Sequence, residues 1–310
     1  MKEKKDFSDY FSSAVGQPLQ RSVSLKNYSN FKIGGQADFF FEAFSIRKLL
    51  LSIKCARDYS IRFYLIGGGY NILFDDKGYR GLIIKNSTQK INLIKDSCLI
   101  KASSGIYLYD LVQFSLDAGL GGFEFLAGIP GTVGGAVFSN AGAFNQKIGD
   151  FLRSAEIFDK NNERKKVNRD FFSFRYRYSC LKEDHRVLLN AVFELHPKGK
   201  KMIASQIQKN LKVRKNKHPP ENIPCAGSYF KNHVNEKGRM IPAAYFLDKV
   251  GAKSLKIGGA AVYSGHANFI INNKNASARD VLNLAEELKK RVRERFYIDL
   301  EEEVVFLPES

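Results

Sequence analysis

Two glycine-rich stretches are places where this chain could hold chemistry. "GIPGTVGGAVFSNAGAF", residues 128–144, has five glycines, one proline and no charged side chain, and "GGG" occupies 67–69. Glycine lets backbone N–H groups approach a ligand closely, which is how an uncharged loop can bind phosphate. The same composition also makes ordinary tight turns, and the residues alone leave both readings open. Neither stretch is a G-x-G-x-x-G opening a helix or a G-x-x-x-x-G-K-[ST] loop, so the ordinary dinucleotide fold and the P-loop hydrolases are disfavoured.

The titratable groups are scattered. Histidines at 185, 196, 218, 233 and 266 show no metal-ligand spacing such as H-E-x-x-H, so no metal site is expected. "RYRYS" sets Arg175 and Arg177 two apart, hence on one face of an extended segment with Tyr176 on the other. A fixed guanidinium suits a carboxylate or enolate, although a solvated basic strand is the commoner case. "AGSYFKN" offers Ser228, Lys231 and Asn232, and "EEEVVF" places three acids before a strand. Each is weak alone, because a lone serine is usually a turn residue and acidic runs are usually solvated.

The elements that must position these groups follow from periodicity. "ADFFFEA" reads as a strand, and Leu49, Ile53 and Ala56 line one face of a following helix. "RFYLIGGGYNILF" is then strand, glycine turn, strand; "YRGLIIKN", "INLI" and "CLIKAS" are further strands, and "LYDLVQFSLDAG" is a helix. This opening is mixed α/β. "SAEIFD", "ERKKVN" and "RVLLNAVFEL" add strands. Near residue 197 polar "HPKGKK" leads into a basic amphipathic helix stopped by Pro219 and Pro220, and a domain boundary is placed there. Beyond it "GSYFKN" reads as a strand, "IPAAYFLDKVGA" as a helix, and "GGAAVYS" and "ANFIIN" as strands. A long helix capped by Ser277 with Asp280 follows, its inner face formed by Val281, Ala285, Leu288 and Val292.

Composition bounds the function. The 310 residues suffice for two domains, and no apolar run approaches the ~18 residues of a membrane helix. The N-terminus lacks the apolar core of a secretory signal, which points to the cytosol. Cys55, Cys98, Cys180 and Cys225 are far apart with no C-x-x-C pair, so they read as reduced, packed thiols. The net charge of +17 invites a nucleic-acid partner, but basic and acidic residues interleave along the whole chain. The same field would favour small anionic ligands.

Taken together and in order, "YLIGGGYNILF", "EFLAGIPGTVGGAVFSNAGAF", "YRYSCLK", "AGSYFKN", "IGGAAV" and "EEEVVF" resemble the UDP-N-acetylenolpyruvoylglucosamine reductase family of peptidoglycan synthesis, from about Asn27 to Leu307. The resemblance implies an α+β chain: an FAD-binding PCMH-type (vanillyl-alcohol-oxidase-like) fold with a C-terminal α+β substrate domain. Residues 1–26 would be an N-terminal arm, 27–197 the FAD domain and 198–310 the substrate domain. FAD contacts are implied at Gly67, Gly68, Gly69 and Asn71, and at Gly128, Ile129, Gly131, Thr132, Gly134 and Gly135. Arg177, Ser228 and Glu303 match the active-site arginine, general acid and C-terminal glutamate; Asn232, Lys253 and His266 match substrate contacts.

The implied partners are tightly bound FAD, NADPH as co-substrate and a UDP-sugar, with no nucleic acid and no membrane insertion, the chain acting as a cytoplasmic monomer. Two departures bear on this. Tyr70 stands where the family's FAD loop often has serine, and the short spacing from Arg177 to Ser228 resembles the compact type without a tyrosine lid. Other readings of the same residues are a different FAD-dependent oxidase of this fold and a basic nucleic-acid-binding protein.

Overall fold

Why the chain begins with a helix is visible in its spacing: Phe7, Phe11 and Val15 recur every fourth residue and so share one helical face. In the computed structural model, which describes residues 2–183 and 186–308, they are buried on α1 (Lys2–Val15). α1 packs against α2 (Ile46–Asp58), whose Leu49, Ile53 and Ala56 are buried as their periodicity predicts. Both helices cover Phe39, Phe41 and Ala43, alternate residues of the strand Gln36–Ala43. Phe7 meets Phe39 edge-on at 5.3 Å, and Phe11 meets Phe41 at 5.0 Å. The N-terminal segment is therefore a packed helix, correcting the expectation of an arm.

The chain divides into two compact units. The first comprises residues 1–21, 39–68 and 81–213; the second comprises 22–38, 69–80 and 214–310. The expected single cut near 197 is replaced by an interleaved division, and burial explains it. α5 (Lys200–Lys215) turns Ile203, Ile207 and Leu211 onto the first unit's core, while Phe31, Ile33 and Leu73 belong to the second unit's core.

The first unit contains a five-stranded antiparallel sheet of order Arg164–Asn168, Leu152–Phe158, Val187–Glu194, Leu99–Ser103, Ile91–Leu93. α3 (Leu108–Asp117) and α4 (Val133–Ser139) add to the core beside it. Phe63–Ile66 pairs in parallel with the strand Tyr79–Asn86, Phe63 facing Leu82. In the second unit, Lys256–Ile257, Ala260–Val262 and Ile270–Asn272 form an antiparallel sheet, and Val305–Leu307 runs parallel to Ile72–Phe74. α6 (Ala243–Lys249) and α7 (Ala278–Phe296) complete it.

Ser277 and Asp280 form the expected capping box of α7, and Val281, Ala285, Leu288 and Val292 are buried. "GSYFKN", expected as a strand, makes only an isolated bridge from Phe230 to Glu302. No described helix is long and apolar enough to cross a membrane, and all four cysteines are free thiols.

Phe11→Ala tests the standing of α1. Deleting a fully buried ring from a packed core costs about 3–5 kcal/mol, so urea unfolding should shift by that amount; an unchanged midpoint would mean the helix does not contribute to the core.

Candidate active site

The glycine stretch at 128–144 folds as a loop entering α4. Thr132 caps the helix, its Oγ1 accepting the Gly135 N–H at 3.3 Å. Leu108 donates to the Gly131 carbonyl (2.9 Å), Val133 to Ile106 (2.8 Å) and Gly134 to Ser104 (2.7 Å). The amides of Gly134 and Gly135 thus have acceptors within the protein. A Cβ on Gly134 would make a tight approach of 3.0 Å to the Ser104 carbonyl oxygen.

Among the described residues, the amides of Gly128, Gly131 and Thr132 have no hydrogen-bond acceptor. Gly128 and Pro130 are exposed, and a Cβ on Gly131 would meet nothing within 4 Å. Ile129 donates to Leu126 at 2.9 Å and packs on the core, anchoring the loop from behind. The two glycine loops touch: a Cβ on Gly67 would lie 2.4 Å from Thr132 Oγ1, and the neighbouring Gly68 is half-buried.

Gly69 and Asn71 fall in the second unit. Gly69 has φ +71°, and a Cβ would come within 1.9 Å of the Tyr28 carbonyl oxygen, so only glycine fits. Asn71 donates through Nδ2 to the Glu303 carbonyl at 2.9 Å, tying this loop to the C-terminal acids.

"RYRYS" is not extended. Arg175 and Tyr178 exchange hydrogen bonds of 3.2 Å in both directions, making a tight turn with Tyr176 and Arg177 at its tip and Arg177 at φ +53°. The predicted common face of Arg175 and Arg177 is therefore corrected. The Arg175 guanidinium lies over the Tyr178 ring and that of Arg177 over Tyr176, at 4.8 and 5.4 Å from the ring centres. Arg177 Nη1 also makes a long contact, 3.4 Å, with the Gly142 carbonyl.

What holds this turn is Asn140, a residue that sequence reasoning passed over. It ends α4 in the left-handed conformation (φ +46°), is buried, donates to the Arg175 carbonyl at 2.9 Å and accepts the Gly149 N–H at 3.1 Å. Its place in "SNAGAF", just after a helix, is the one signal available, since asparagine tolerates the left-handed region.

In the second unit Ser228, half-buried, precedes a clamped segment. Glu303 donates its N–H to the Tyr229 carbonyl at 2.8 Å, and Lys231 donates to the Glu301 carbonyl at 2.8 Å. The C-terminal acids thereby run alongside the segment that follows Ser228, with Glu303 across from Tyr229. The other two acids are engaged elsewhere, Glu301 with Lys231 (2.8 Å) and Glu302 with Lys289 (3.0 Å).

The three expected substrate contacts have local partners. Asn232 Oδ1 accepts the first N–H of α6 from Ala243 at 3.2 Å, and Lys253 pairs with Asp248 of the same helix at 2.9 Å. His266 packs on Phe269, 5.0 Å between ring centres, and its Nδ1 accepts the Asn268 N–H at 3.2 Å. His218 joins them, 6.3 Å from His266 and 5.0 Å from Phe269. His233 lies beside Phe246, His196 is an exposed strand residue, and His185 lies outside the described residues.

Burial, then Arg214, His266 and Lys217, push His218 down to about 4; burial also lowers His266, against the pull of Asp248. A histidine kept neutral by the fold binds its proton only on unfolding. Its stabilising contribution is complete above the ordinary value of 6.5 and lost as pH falls from there to about 4. Melting temperature should decline across that window, and His218→Phe, which keeps a ring against Phe269, should flatten the decline. An equally steep decline in the variant would overturn the assignment.

The family model described as "FAD binding domain" matches residues 37–168, and that described as "UDP-N-acetylenolpyruvoylglucosamine reductase, C-terminal domain" matches 218–307. The UDP-N-acetylenolpyruvoylglucosamine reductase of Carboxydothermus hydrogenoformans is 37% identical, covering 99% of this chain and 100% of its own. That of Clostridium botulinum (strain Eklund 17B / Type B) is 34% identical over the whole of both chains. The crystal structure of the Thermus caldophilus enzyme superposes with a TM-score of 0.78 at 29% identity, covering 94% of this chain and 99% of that one. An FAD-binding domain and a reductase C-terminal domain in family order, with similarity running end to end, mean that the chain belongs to the UDP-N-acetylenolpyruvoylglucosamine reductase family.

Proposed function

We propose that this chain is an FAD-dependent oxidoreductase that reduces the enolpyruvyl group of UDP-N-acetylglucosamine enolpyruvate to UDP-N-acetylmuramate, for peptidoglycan synthesis, with NADPH as reductant. The observation that carries the reading is the pairing of the C-terminal acid run with the segment that follows Ser228, Glu303 N–H donating to the Tyr229 carbonyl at 2.8 Å.

The residues present fit the cofactor. The amides of Gly128, Gly131 and Thr132 are donors for a pyrophosphate, and Gly67 keeps the neighbouring loop close where a Cβ would collide with Thr132. Gly68, Gly69 and Asn71 shape the rest of that loop. Bound FAD supplies the hydride, itself taken from NADPH. The chain's own residues manage the charge and the proton.

The substrate's double bond is conjugated to a carboxylate. Hydride reaching the methylene carbon leaves an electron pair on the adjacent carbon, delocalised onto that carboxylate as an enolate. We assign Arg177 to this developing charge, with Glu303 serving it as the neutral acid whose O–H donates: a guanidinium offers fixed N–H donors, and such donors are worth about 3 kcal/mol each when prearranged. Ser228 Oγ gives its proton to the carbon carrying the pair, and solvent restores the hydroxyl. A hydroxyl is a weak acid, but the enolate is a strong base, so the transfer is matched once the two are within hydrogen-bond reach.

Lys253 exchanges Asp248 for the diphosphate of the UDP group in this reading, while Asn232 and His266 contact its polar edges. The basic surface of the chain raises the local concentration of both anionic substrates. The protein works as a monomer in the cytoplasm, where NADPH and nucleotide sugars are held.

Two variants test the reading. Ser228→Ala should leave flavin bleaching by NADPH within about twofold of the parent and slow colour return on adding the enolpyruvyl sugar by about a hundredfold or more; equal loss in both would overturn the acid assignment. Gly67→Ala should purify with a lower flavin-to-protein absorbance ratio and bind added FAD at least about tenfold more weakly, as a 2.4 Å clash requires one loop to move. Full retention of FAD would remove the loop from the cofactor site.

A further inference from the structure

The segment that presents Ser228 is irregular, and one side chain accounts for much of its hydrogen bonding. Asn268 is 3% exposed. Its Nδ2 donates to the Phe230 carbonyl at 2.8 Å and its Oδ1 accepts the Phe230 N–H at 2.9 Å, so one carboxamide closes both backbone groups of a single residue. Its own carbonyl accepts the Tyr229 N–H at 2.8 Å, and its own N–H donates to His266 Nδ1 at 3.2 Å. Three of these four bonds go to the two residues that follow Ser228.

On its other side Ser228 follows Gly227, at φ +77°, which has no side chain to fix it and where an added Cβ would meet nothing within 4 Å. The Tyr229 and Phe230 rings, 1% exposed and edge-on at 5.1 Å, anchor the segment in the core but leave its polar backbone to be satisfied. The C-terminal acids satisfy one edge, at Tyr229 C=O and Lys231 N–H. Asn268 satisfies the other.

We propose that Asn268 is the positioning residue for Ser228, setting where its hydroxyl stands by clamping the backbone of Tyr229 and Phe230. The inference rests on Ser228 being the proton donor. A carboxamide donates and accepts from one planar group without titrating. Ionised aspartate keeps the shape and the acceptor but loses the donor to Phe230 C=O, and alanine loses both. A proton donor is sensitive to such a loss, because displacement by about 1 Å can cost a hundredfold in rate.

The test uses the FAD-loaded enzyme with Asn268→Asp, Asn268→Ala, Ser228→Ala and Asn268→Asp/Ser228→Ala, with hydrogen exchange at the Phe230 amide as a readout independent of turnover. Asn268→Asp should speed that exchange, leave flavin bleaching by NADPH within about twofold, and slow colour return with the enolpyruvyl sugar by about tenfold or more. The double variant should be no slower than Ser228→Ala, since a positioning residue has nothing to position once the hydroxyl is gone. Should Asn268→Ala fail to fold, Asn268→Asp decides alone.

Colour return at the parental rate in Asn268→Asp, equal slowing of both half-reactions, or slowing that multiplies in the double variant would each overturn the proposal while leaving Ser228 as the acid. A Ser228→Ala enzyme with parental colour return would overturn the acid reading, and the proposal with it.

Discussion

A backbone that leaves regular helix or sheet inside a protein must still find partners for its N–H and C=O groups, because each one buried without a partner costs about 1–3 kcal/mol. In both units of this chain a buried asparagine meets that demand next to a residue assigned to catalysis. Asn140 holds the turn that carries Arg177, bonding to Arg175 and Gly149, and Asn268 holds the segment that follows Ser228. A carboxamide is suited to this because it is neutral: it donates and accepts without placing a second charge beside the reacting group.

The same economy of charge governs the glycine stretch. Its backbone amides offer donors without formal charge, and several are used to hold the loop itself, through Ser104, Ile106 and Thr132. Formal charge enters through Arg177, whose turn is bound to the end of the same stretch by Asn140. The +17 of the chain is dispersed, and full-length membership of a reductase family makes attraction of anionic substrates a better account of it than nucleic-acid binding.

Much of the fold was legible because local rules agreed with it. The stripe Leu49, Ile53 and Ala56, the capping box of Ser277 and Asp280, and the strands from "ADFFFEA" to "RVLLNAVFEL" all appear where periodicity put them. α5 was also legible as a helix, but its allegiance was not. Its stripe of Ile203, Ile207 and Leu211 shows that one face must be buried, not against which core. The interleaved units are hidden for the same reason: Phe31, Ile33 and Leu73 are ordinary apolar residues until a partner core is known.

The sequence by itself determined the inventory: neutral glycine loops, a basic aromatic segment, a serine before an aromatic pair, a C-terminal acid run, and the family that carries them in this order. Tertiary structure decided which amides of the glycine stretch remain available, that Arg177 sits at a turn instead of on a strand, and that Glu303 is in register with the residue after Ser228. Spacing along a chain reports faces of regular elements, where geometry repeats. Turns and clamps join residues as distant as Phe230 and Asn268, and no local periodicity records such a contact.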